Sequence, residues 1–133
     1  MASPDPSELA SVPLLSGLSG SELVEVAEWF EVKDVDAGAR LAGEGTTGNA
    51  FFVIGAGGAA VTTGGTELAA LGPGDFFCEF ALLGSGRRTA TVTTTVPSRI
   101  FVMFGNDFAR LRSKHPRVAD ELEATMERRL ELP

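Results

Sequence analysis

The sequence predicts a mainly β fold with flanking helices: a β-barrel of the jelly-roll, double-stranded β-helix type, with an N-terminal helical segment and two C-terminal helices. Three observations predict it. The 133 residues include 16 glycines, most of them clustered between short runs of strand-forming residues, as tight turns require. Those runs recur at short intervals between residues 40 and 104, the pattern of closed or double-sheet all-β domains. Helical periodicity falls outside that stretch, at both ends.

The first helix is announced by Ser19 and Glu22, the spacing of a capping box. Leu23, Val26, Ala27 and Phe30 then follow at i, i+3, i+4 and i+7. Before it, Val12, Leu14, Leu15 and Leu18 form a short apolar segment suited to a helical turn on the same core. Strands are expected at 40–42, 50–54, 59–63, 66–71, 89–95 and 99–104, separated by glycine-rich stretches. Gly64-Gly65 between two β-prone runs signals a two-residue hairpin. Past Phe104, Asn106 or Asp107 can cap a helix through Phe108 and Leu111 that Pro116 ends. His115, the only histidine, is expected to cap that end. A last helix over 117–132 places Val118, Leu122, Met126 and Leu130 on one face.

The length suits one domain. We expect a flexible N-terminus over 1–11 and a single domain over 12–133. Hydrophobic residues make up 44% and charged residues 22%, an ordinary globular balance. Net charge is −7, with five acids and no bases in residues 1–30 and no basic stripe elsewhere. That argues against nucleic acid as a partner. One cysteine permits no internal disulfide and fits a reducing compartment. The apolar runs are far shorter than the roughly 20 residues that span a bilayer, and the start lacks the regions of a signal peptide. A cytoplasmic protein is expected. A lone histidine argues against clustered-histidine metal sites, so no metal or cofactor is expected. There is no catalytic triad, Walker or Rossmann motif, and the chain reads as non-enzymatic.

One segment departs from the strand pattern inside the barrel, from Phe76 to Val92. Phe80, Ala81, Leu82 and Leu83 suit one helical turn beside a glycine-rich bend, a place where backbone N–H groups can meet an anion. Arg87 and Arg88 follow directly, and a single carboxylate, Glu79, stands at the start of the turn. Taken alone, Arg87-Arg88 reads as a solvated pair, Glu79 as a helix-terminal acid, Thr89 as a strand threonine and Cys78 as a small apolar residue.

Together these residues resemble the phosphate-binding cassette of the cyclic nucleotide-binding domain family. The matching residues are Phe77-Cys78-Glu79-Phe80-Ala81-Leu82-Leu83, three variable positions, then Arg87-Arg88-Thr89-Ala90-Thr91-Val92. The nine-residue step from Glu79 to Arg88 agrees, as do Leu71-Gly72-Pro73-Gly74-Asp75-Phe76-Phe77 upstream and Gly43-Glu44-Gly45 with Gly48-Asn49-Ala50-Phe51-Phe52-Val53-Ile54 before it. The resemblance covers about residues 12–130.

It implies a ligand site of Cys78, Glu79, Phe80, Ala81, Leu82, Arg88, Thr89 and Ala90. Arg88 pairs with the exocyclic oxygens of the cyclic phosphate, and Glu79 accepts from the ribose 2′-hydroxyl. Backbone N–H groups near Ala81, Leu82 and Ala90 complete the cradle, and Thr89 reaches a syn base. The last helix closes as a lid through Met126 or Leu130. The implied function is a small sensor for a cyclic nucleotide, cAMP ahead of cGMP, reporting to an unidentified effector protein, as a monomer or weak dimer. Cys78 stands where the family usually has Gly. That departure motivates an alternative, a degenerate pocket on a protein-interaction scaffold.

Overall fold

A computed structural model describes residues 3–42, 50–63, 65–78 and 91–131 of the chain. Helix α1 (Pro6–Ala10) opens with a capping box in which Asp5 and Glu8 satisfy each other's first-turn donors. A 3-10 turn at Pro13–Leu15 leads to α2 (Gly20–Ala27), whose capping box is Ser19 with Glu22. Eight strands follow: β1 (Glu31–Val35), β2 (Arg40–Ala42), β3 (Ala50–Ala56), β4 (Ala59–Thr63), β5 (Thr66–Leu71), β6 (Phe76–Cys78), β7 (Thr91–Thr94) and β8 (Ser98–Phe104). Helices α3 (Gly105–Lys114) and α4 (Pro116–Glu131) complete the chain.

The strands form two four-stranded antiparallel sheets, ordered β1-β8-β3-β6 and β2-β7-β4-β5. The crossovers between non-consecutive neighbours make this a jelly roll, as expected from sequence. Strands β3, β6 and β8 of the first sheet are buried on both faces, whereas β1 at its edge is partly exposed. Side chains alternate along a strand, so Phe51 and Val53 of β3 and Phe101 and Met103 of β8 join a core with the helices. Phe52, Ile54, Ile100 and Val102 turn the other way and meet Val61, Leu71 and Val92 of the second sheet. Two-sided burial is why 51–54 and 100–103 read as continuous apolar runs rather than as alternation.

The expected flexible tail over 1–11 missed α1. Leu9 is fully buried in the helical core. Arg99 of β8 holds the helix to the barrel, with Nε 3.1 Å from Glu8 Oε1 and Nη1 3.4 Å from Asp34 Oδ1. The tie is a long-range one between residues 8 and 99, which a local pattern does not display.

Strands β1 and β6 were also missed. Glu31–Val35 mixes charges with two valines, and Phe76–Cys78 is too short to show a period. Both gain their strand character from partners, β8 and β3. Neither Asn106 nor Asp107 caps α3: Phe104 is the N-cap, without a side-chain bond. Its extended φ of −92° and ψ of 168° continue β8 directly into the helix. His115 does stand at the end of α3, and α4 starts on Pro116, where a missing N–H costs nothing.

Candidate functional site

The approach to the candidate site is a tight turn after β5. Asp75 Oδ2 accepts from Gly72 N–H at 2.8 Å, and Asp75 N–H donates to the Gly72 carbonyl at 3.0 Å. Gly74 sits at φ 89°, the left-handed region in which only glycine is unstrained. Its N–H donates to the Ile54 carbonyl at 2.8 Å, and Ile54 N–H donates to the Asp75 carbonyl at 2.9 Å. The turn is therefore locked to β3, and it aims β6 along β3 with Phe76 opposite Val53, Phe77 opposite Phe52 and Cys78 opposite Phe51.

Residue 78 closes β6 in the first sheet, and Thr91 opens β7 in the second, opposite Thr62 of β4. The cassette segment thus links the two sheets. Near its ends lie Phe52, Phe77, Val61 and Val92, all buried in the core between the sheets. Paired strands at both ends hold the segment's anchor points.

Of the residues singled out by sequence, Cys78 is placed as the last residue of β6. Glu79, Phe80, Ala81, Leu82, Arg88, Thr89 and Ala90, with the expected helical turn, lie outside the described residues. Met126 and Leu130 fall within α4, the proposed lid helix. That helix packs on β6 and on the 3-10 turn, with Val118 and Leu122 buried, so it stands beside the strand that leads into the cassette.

Among the described residues no group of three or more His, Cys, Asp or Glu side chains could hold a metal ion. No described helix is long and apolar enough to cross a membrane. An open depression of about 390 Å³ lies between Asp34, Asp36, Ala56 and Arg99. It is at the opposite end of β3 from Phe51 and Cys78, and Arg99, which lines it, is already held by Glu8 and Asp34. The guanidinium's pKa is raised by the Glu8 hydrogen bond first, against some desolvation.

The fold agrees with what comparison with other proteins finds. The family described as Cyclic nucleotide-binding domain matches residues 32–115. A cyclic nucleotide-gated potassium channel of Rhizobium etli is 33% identical over 122 residues, which are 91% of this chain and 34% of the channel. The chain thus spans about a third of the length of that relative. Among solved structures, the Thermus thermophilus catabolite activator protein superposes with a TM-score of 0.78 at 30% identity, covering 89% of this chain and 58% of that one. The regulatory domain of Toxoplasma gondii PKA, crystallised with cAMP, gives a TM-score of 0.80 at 26% identity, covering 92% of this chain and 48% of that one. A profile match across most of the barrel, together with the two-sheet topology, shows that the chain belongs to the cyclic nucleotide-binding domain family.

Proposed function

We propose that this domain binds a cyclic nucleotide, cAMP in preference to cGMP, and acts as a sensor without catalysis of its own. The observation that carries the reading is the cassette sequence from Phe77 to Val92, bracketed by β6 and β7 as a link between the two sheets. Arg88 supplies a planar fork of donors to the phosphate, and Glu79 supplies an acceptor to the ribose hydroxyl. The protein is acidic overall, so attraction of an anionic ligand falls to this local device. Ligand binding at the cassette then favours the docked position of α4 through Met126 or Leu130. The shift in population is limited by the difference in affinity between the two states. The relatives' cAMP-bound structure supports the choice of nucleotide. Calorimetric titration with the two nucleotides tests the reading.

A second reading has a specific residue behind it. Cys78, opposite Phe51 in β3, replaces the glycine usual before the cassette glutamate, and a degenerate pocket on a protein-binding scaffold would follow from it. Cys78→Gly separates the two. If the native pocket is functional, the variant's cAMP affinity stays within about threefold, less than 1 kcal/mol. A gain of about a hundredfold would favour the scaffold.

A further inference from the structure

His115 is where α3 hands over to α4, and its backbone serves both helices. Its N–H donates to the Leu111 carbonyl at 2.7 Å, and its carbonyl accepts from Val118 N–H at 3.0 Å. The ring is not a surface group, since the side chain is only 10% exposed. It inserts toward α2, where two glutamates a turn apart face its two nitrogens. Nδ1 is 3.5 Å from Glu22 Oε2, and Nε2 is 3.5 Å from Glu25 Oε1. Nε2 is buried and makes no hydrogen bond among the described residues.

A neutral imidazole has one donor nitrogen and one acceptor nitrogen, whereas a carboxylate only accepts. With carboxylates on both sides, the neutral ring must point a lone pair at one of them. The imidazolium offers a donor to each. We infer that His115 is a proton-operated latch that holds α2 against the α3–α4 corner.

Three cations also meet this contact and share its carboxylates and its aromatic ring with the imidazole. On α3, Lys114 Nζ is 3.2 Å from Glu25 Oε2 and lies over the Trp29 ring at 5.8 Å, while the Arg110 guanidinium lies over the same ring at 5.6 Å. On α4, Arg117 Nη2 donates to the Gly17 carbonyl at 3.3 Å and adds its field at Glu22. Trp29 closes the cluster, its ring 6.2 Å from the imidazole. Glu22 is held below the ordinary carboxylate range first by the Ser19 backbone N–H, and Glu25 first by its hydrogen bond to Lys114. Both acids therefore stay ionised through neutral and mildly acidic pH.

The lowered carboxylates set the acid limit of the latch. The carboxylates' contribution is present above their ordinary value of 4.5 and is lost as pH falls through their lowered folded-state values. Since α4 begins one residue after His115, releasing the latch frees the base on which the lid helix pivots. That consequence rests on the proposed ligand function, whereas the latch itself does not.

The test uses the whole chain without nucleotide. His115 is the only histidine, so no other side chain ordinarily titrates between pH 5.5 and 8. Thermal unfolding of the native chain and of His115→Gln is followed across that range. From about pH 5.5 to 8 the native midpoint is expected to fall by about 3 °C or more relative to the variant. Glu22→Gln with Glu25→Gln keeps the histidine but removes both acceptors, and it is expected to lose the same pH dependence. Native and His115→Gln curves that run parallel over the range would overturn the latch. So would a pH dependence that survives in the double glutamine variant.

Discussion

Phe51→Ala is expected to cost about 3–5 kcal/mol, a large share of the stability of a domain this size. Phe51 is fully buried on β3. Its ring lies 5.9 Å from Phe30, 5.7 Å from Phe76 and 6.4 Å from Phe108, so it joins the chain after α2, the strand before the cassette and α3. Truncation removes the transfer energy of the ring and leaves a cavity bordered by β-strands paired on both sides, which cannot collapse into it. The melting midpoint should drop by roughly 10 °C or more. Leu68→Ala at a residue 54% exposed on the outer strand β5 is the control, with an expected change within about 0.5 kcal/mol. Urea unfolding of both variants checks this. A loss below about 1 kcal/mol at Phe51 would mean that the helices are not packed on β3 as described.

Arg88→Lys is expected to weaken cyclic nucleotide binding by about tenfold or more with little change in melting midpoint. A charge-assisted contact of guanidinium with phosphate contributes roughly 1.5–3 kcal/mol net. Lysine keeps the charge but loses the planar two-donor fork, so part of that contribution goes and the geometry of the cradle with it. The two effects separate cleanly, because the paired strands that anchor the segment end at Cys78 and resume at Thr91. Calorimetry on the variant reads the affinity, and its melting curve reads the fold. An unchanged dissociation constant would remove Arg88 from the proposed site.

Most of the barrel was legible in the sequence because its strands announce themselves locally. The strands at 40–42, 59–63 and 66–71 are bounded by glycines and match the structure residue for residue. The Ser19–Glu22 capping box was legible for the same reason, since its two hydrogen bonds lie within one turn. What escaped was set by distant partners. The short helix α1 is fixed by burial of Leu9 and by Arg99, ninety-one residues away. Strand β1 alternates poorly and is defined by pairing with β8. The start of α3 follows from the direction of β8 rather than from a capping side chain. The candidate site was legible as a motif, because the spacing of Glu79 and Arg88 is a sequence property. The environment of His115 was not, since Glu22 and Glu25 lie on another helix some ninety residues earlier.

The most direct test of the account is isothermal titration calorimetry of the purified chain with cAMP and, separately, with cGMP. The account predicts saturable heat at one site per chain, with micromolar or tighter affinity for cAMP and weaker binding of cGMP. No heat with either nucleotide, from a chain whose melting transition shows it folded, would contradict it and leave the barrel as a scaffold.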